Sequence, residues 1–207
     1  MTNTNIQLQL QIFFSALREI YAAGTAAGIE TGREIRHAYS LLESIPAQTK
    51  SLSISDHPVL RHADAAAAAG SESTAVLLNS IMPVIRYLPW KYSYAPRKDA
   101  NDIESNIAFA EIIGPLAPFY SNSFCLGLTL IAPGTRYPEH RHPAIELYYV
   151  AAGTAQWTLD NVSVSKKPGD YILHESMAIH AMNTTDQPLL AAYTWTGHDI
   201  RTTSAYV

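Results

Sequence analysis

Between Gly134 and Gly153 the chain reads GTRYPEHRHPAIELYYVAAG, with His140 and His142 two residues apart and Glu146 and Tyr148 two apart again. In an extended strand, residues i and i+2 leave the same face. A strand of this kind turned toward an interior gathers imidazole, carboxylate and phenol on one side. Imidazole and carboxylate are ordinary ligands for a divalent transition metal: iron, zinc, manganese, cobalt or nickel. The flanking glycines, Gly134 and Gly153, supply the turns that bring neighbouring strands back. The chain has a single cysteine, Cys125, so a metal site here is built from nitrogen and oxygen donors, and no intramolecular disulfide forms.

The texture around this segment changes near residue 100. Before it, helical spacing dominates. Residues 6–23 place Ile6, Leu10, Phe13, Phe14, Leu17, Ile20 and Tyr21 on one side of a helix. Residues 30–45 predict a second helix, stopped by Pro46. Ser55 or Asp56 starts a third that runs to Gly70, and Ser71 or Ser73 starts a fourth, with Pro83 as a kink. After about residue 104, short β-type runs recur: NIAFAEII, SFCLGLTLI, IELYYVAA, TAQWTL, YILHE and LLAAYTW. Gly-Pro, Pro-Gly and Asp-Asn turn signals separate them, which predicts an antiparallel sandwich or barrel. The expected division is a helical region over 1–100, packed on a β-barrel over 101–207 that carries the metal site.

Composition narrows the function. With 14 Lys+Arg against 18 Asp+Glu, the net charge is −4 and no basic stripe is present, so nucleic acid is not the expected partner. No run of about 18 apolar residues predicts a membrane span, and the N-terminus lacks a secretory pattern. The expected setting is therefore the cytoplasm, in keeping with the lone thiol. The apolar helix positions make a homodimer an expectation.

The spacing from Gly134 to Gly153 is that of the first sequence motif of the cupin superfamily. The superfamily's second motif begins with Gly and carries a His eleven residues on, and Gly169 and His180 keep that spacing. Glu175 and Met177 stand where Pro and Gly are usual, and Asn183 lies one residue early. Within the superfamily the chain resembles the DddQ-like dimethylsulfoniopropionate (DMSP) lyases. It shares their length, their helical N-terminal part and, from 134 to 195, their spacing. The resemblance implies a mainly β fold with N-terminal α: a single cupin (jelly-roll) β-barrel with a packed helical region. It implies metal ligands at His142, Glu146 and His180, with His140 beside them and Tyr148 as a further ligand. It places Tyr137 in the site and Trp195 on the pocket wall. His37, His57 and His62 read as helix-surface or capping residues, and His174 and His198 as structural.

The activity so implied is β-elimination: a base removes a proton next to the substrate carboxylate, and dimethyl sulfide leaves, giving acrylate. Tyr148 is the expected base, freed when the substrate carboxylate displaces it from the metal; Tyr137 is the alternative. The sulfonium leaving group calls for aromatic faces. Trp195 and the segment with Trp90, Tyr92 and Tyr94 are candidates, and Arg136, Arg141 and Lys98 could meet the carboxylate. Two other readings compete: a cupin dioxygenase or isomerase acting on another small carboxylate, and a non-catalytic sensing cupin. The helical half lacks the basic recognition helix of a sensor, since residues 30–45 set Arg33, Arg36 and His37 against Glu30, Glu34 and Glu43.

Overall fold

The computed structural model describes residues 1–94 and 102–207. Lys98 therefore lies outside the described residues. Helices come first: α1 (Asn3–Gly24), α2 (Ile29–Leu42), α3 (Ala63–Ala68) and α4 (Ala75–Ile81). Short 3-10 turns at Pro58–His62, Glu72–Thr74 and Met82–Tyr87 link the later ones. Their boundaries have local causes. The Thr2 hydroxyl accepts the Asn5 N–H at the start of α1. His57 Nδ1 accepts the Val59 N–H, which makes this histidine a cap. Ser71 and Thr74 form a reciprocal capping pair. Pro83 ends regular α geometry within the apolar run that follows α4.

The strands form two sheets. The first holds β1 (Trp90–Lys91), β2 (Ile107–Gly114), β4 (Cys125–Ile131), β11 (Leu189–Thr196), β6 (Ile145–Ala152) and β9 (Tyr171–His174) in that order, with β3 (Phe119–Tyr120) paired to β2. The second holds β12 (Ala205–Tyr206), β5 (Arg136–Arg141), β10 (His180–Thr184), β7 (Ala155–Leu159) and β8 (Val162–Lys166). A one-turn helix, α5 (Ile103–Asn106), precedes β2. The two sheets face each other as in a jelly roll and do not close hydrogen bond by hydrogen bond into a barrel. β1 joins the first sheet from residues 90–91, ahead of the expected boundary near residue 100.

The first sheet is buried on both faces. Leu128, Leu130, Leu147, Tyr149, Leu190 and Ala192 point outward and share one apolar cluster with Phe13, Phe14 and Leu17 of α1. Tyr148, Val150, Ala191 and Tyr193, offset by one residue, point inward into a second cluster. Two-sided burial explains why β4, β6 and β11 read as nearly continuous apolar runs rather than alternating ones. The second sheet is different. β8 is exposed along most of its length and β12 is partly exposed, so that sheet keeps one face toward solvent. Gly153 closes the β6–β7 turn at φ +78°, and a Cβ there would fall on the Pro188 carbonyl, so only glycine fits.

Candidate metal centre

Sheet register brings the site together. Glu146 on β6 lies between Trp195 on β11 and His174 on β9, each its direct cross-strand partner. The two neighbours hold the carboxylate. The Trp195 indole N–H donates to Oε1 at 2.7 Å, and His174 Nδ1 donates to Oε2 at 2.9 Å. His174 is itself fixed, because its Nε2 accepts the Trp157 indole N–H at 2.9 Å. On the opposite sheet, His140 of β5 pairs with His180 of β10, and their rings meet edge-on at 4.0 Å. His142 follows β5 directly and points at Glu146, with Nε2 3.1 Å from Oε2.

The donor atoms of His142, Glu146 and His180 lie within 4.8 Å of one another, and all three side chains are buried. The histidines are prepared as ligands. Nδ1 of His140, His142 and His180 each faces a backbone carbonyl two residues away, of Pro138, Ala144 and Ala178 respectively. For His140 and His180, a ring nitrogen that donates to a carbonyl leaves the other nitrogen as a lone pair, the usual arrangement behind a metal-bound imidazole. His142 Nε2 instead bonds the Glu146 carboxylate and must lose its proton to act as a ligand. His180 Nε2 is buried, stands 3.4 Å from Glu146 Oε2, and makes no hydrogen bond. A buried acceptor aimed at a carboxylate is costly unless a cation lies between them. This donor set fits a divalent transition metal.

Electrostatics agree. Burial pushes the Glu146 carboxyl up, but the adjacent His142 charge and the imidazole hydrogen bonds outweigh it and hold the group well below the usual carboxylate range. Burial opposes the charged form of His142, yet the Glu146 carboxylate raises its pKa overall. Burial and the neighbouring His180 hold His140 well below the ordinary histidine value. Burial lowers His174 to about 4 despite its bond to Glu146.

A cavity of about 310 Å³ opens beside this group. His140, Glu146, Tyr148, Tyr137 and Trp195 all border it. Tyr148 shares the inward face of β6 with Glu146; its hydroxyl lies 3.4 Å from Thr129 Oγ1. The Tyr137 ring stacks on His140 at 3.9 Å, and its hydroxyl bonds that of Tyr94. Tyr94 lines the cavity, while Tyr92 packs against Tyr94 and bonds the Tyr206 hydroxyl at 2.6 Å. The expectation for Trp90 needs correction: its indole N–H donates to the Ile85 carbonyl and its ring packs into the helix-side cluster, away from the cavity. Strand alternation explains this, since Lys91 takes the cavity side of β1. Arg136 forms an exposed ion pair with Glu139, and Arg141 is exposed, so neither borders the cavity.

Sequence reasoning missed His174 and Trp157 as partners of the site, and Glu111, Lys91 and Arg201 as cavity residues. Each enters through strand pairing or chain return, for which local spacing carries no signal.

Facing jelly-roll sheets, with a buried His/Glu group between them that could hold a metal, define a cupin. Residues 33–191 match the dimethylsulfoniopropionate lyase family, and the chain belongs to that family. It is 36% identical over 115 residues to DddL of Cereibacter sphaeroides, covering 55% of this chain and 48% of that protein. It is 32% identical over 109 residues to dimethylsulfoniopropionate lyase DddQ of Ruegeria pomeroyi, covering 52% and 54%. The chain thus spans about half the length of the curated relatives it matches. The crystal structure of DMSP lyase DddQ from Ruegeria pomeroyi superposes with a TM-score of 0.73 at 23% identity, over 94% of this chain and 95% of that one, which shows a shared fold. Among the described residues, no helix is long and apolar enough to cross a membrane.

Proposed function

We propose that this protein is a metal-dependent carbon–sulfur lyase that cleaves DMSP to dimethyl sulfide and acrylate. The observation that carries the proposal is the His142, Glu146 and His180 group, opening on an aromatic cavity that Tyr148 shares. A divalent metal bound there would polarise the substrate carboxylate as a Lewis acid. Glu146 is held at both oxygens and stays aimed at the two histidines. His140 supports the group as a further ligand or as a neighbour of His180.

Tyr148 acts as the base. It takes a proton from the carbon next to the carboxylate, and the C–H electrons become the carbon–carbon double bond. The C–S bond breaks with its electron pair on sulfur, so the sulfonium departs as neutral dimethyl sulfide and acrylate remains. The phenol must ionise first, and burial together with the Glu146 charge holds its pKa well above the usual tyrosine value. A metal cation held by the His/Glu group would counter that bias, which ties the base to the loaded site. Tyr137, bonded to Tyr94, orients the substrate. Trp195 lines the path of the sulfonium. A cytoplasmic setting and a homodimer belong to the same proposal.

The test is direct. Purified protein loaded in turn with iron, zinc, manganese, cobalt and nickel is incubated with DMSP, and the headspace is assayed for dimethyl sulfide and the solution for acrylate. Equal amounts of the two products are expected with at least one metal. No product with any of the five overturns the proposal.

A further inference from the structure

Among the described residues, two carboxylates line the cavity, Glu146 at the metal group and Glu111 on β2. Glu111 pairs with Gly127 on β4, Gly127 with Tyr193 on β11, and Tyr193 with Tyr148 on β6. These four residues form one row across four adjacent strands and face the same side. At the usual strand spacing, the backbones of Glu111 and Tyr148 stand roughly 14 Å apart. Gly127 leaves a gap in the row, and the Tyr193 ring fills it: a Cβ on Gly127 would meet that ring at about 2.5 Å. The ring therefore lies over the floor between the two ends, and Tyr193 and Cys125 both feel the Glu111 charge.

Glu111 is partly buried. Its Oε1 accepts the Leu116 N–H at 3.3 Å, and it makes no ion pair among the described residues. Burial raises its pKa, and the Leu116 bond and the charges of Lys91 and Lys50 offset this only in part. Lys91 and Arg201 also border the cavity, but both are exposed, and Arg201 donates to Asn122 Oδ1. The far end of the cavity thus holds a carboxylate in the wall, with no ion pair to it among the described residues, beyond an aromatic floor.

Resting on the lyase reading above, we infer that Glu111 is a specificity-determining residue whose carboxylate receives the cationic end of a zwitterionic substrate, while the anionic end is held at the metal group. A sulfonium has no N–H to donate, so charge and aromatic faces are what recognise it. Tyr193 and Trp195 supply the faces, and Glu111 supplies the charge.

The variant Glu111→Gln keeps the acceptor for the Leu116 N–H and removes the charge. KM for DMSP should rise roughly five- to thirty-fold, with kcat changed less than about three-fold. The inhibition constant of 3-(methylthio)propionate, a carboxylate with neutral sulfur, should stay the same. Glu111→Asp, which keeps the charge, should recover part of the DMSP affinity. An unchanged KM, or equal weakening of the charged and neutral ligands, overturns the inference. If the wild-type protein releases no dimethyl sulfide, the lyase reading fails separately. Calorimetric titration of DMSP and of 3-(methylthio)propionate into wild type and Glu111→Gln then still decides whether Glu111 discriminates by charge.

Discussion

The two sheets hold their parts of the candidate metal centre in different ways. On the second sheet, His140 and His180 are each tethered by Nδ1 to a carbonyl of their own segment, two residues away. On the first sheet, Glu146 is held by side chains of two other strands, Trp195 and His174, and His174 leans in turn on Trp157. The histidines are positioned by local chain geometry, and the carboxylate by tertiary register. A local tether survives most changes elsewhere, whereas a relay of side chains fails at any of its members.

The sharpest way to break the comparison is to remove a donor from each sheet. Glu146→Ala and His180→Ala should each lower metal affinity by more than about 100-fold and abolish turnover. Metal content after dialysis and dimethyl sulfide release measure this, and full metal occupancy in either variant would show that the group is not the centre. Tyr148→Phe comes next. It should reduce kcat by roughly two to four orders of magnitude. Metal content assayed on the same sample separates a lost base from a lost ligand, and full activity would remove Tyr148 from the mechanism.

His174→Gln and Trp195→Phe test the relay. Each should weaken metal binding by about 10- to 100-fold while the protein remains folded. Circular dichroism and a metal titration check both halves of that statement. Affinity equal to wild type would mean that the cross-strand partners of Glu146 do not orient it.

The metal-free protein should also reveal the relay through pH. His174 titrates at about 4 when folded, below the ordinary 6.5 of an unfolded histidine. The unfolded state therefore binds its proton first as pH falls. The contribution is complete above pH 6.5 and is lost as pH drops toward 4, a change of up to about 3 kcal/mol. His140 acts in the same direction. His142, whose pKa is raised, acts oppositely, its share being lost as pH rises through its folded value. The melting temperature of metal-free protein should fall between pH 6.5 and 4.5, and His174→Gln should flatten that fall. The smallest effect concerns the turn that feeds β10. Met177 sits at φ +64°. Met177→Gly should be neutral or stabilise by about 1 kcal/mol or less, read as a shift in melting temperature.

The same local-versus-distant division explains what the sequence disclosed. His140, His142, Glu146 and His180 were legible because period two and fixed glycine spacing act over a few residues. The helix start at Ser71 and the runs of β2, β4, β6 and β11 were legible for similar reasons. The spacing of its histidines reads β5 as extended although Pro138 argues against a ladder strand there, whereas β8 is masked by its Ser and Lys content. His174 was set aside as structural because its value lies in facing Glu146 across two strands, a fact of register. Trp90 was assigned to the cavity because aromatic content does not tell which side of a strand a ring takes.

The two-sided burial of the first sheet bears on how this protein could be trimmed. The helices supply the outer half of the cluster that covers β4, β6 and β11. Cutting the chain back to its strands would uncover a broad greasy plate while leaving every metal donor in the sequence. Such a fragment would be expected to clump rather than bind metal. The smallest part of the chain that can fold is therefore set by the outside of the sheet rather than by the residues within it.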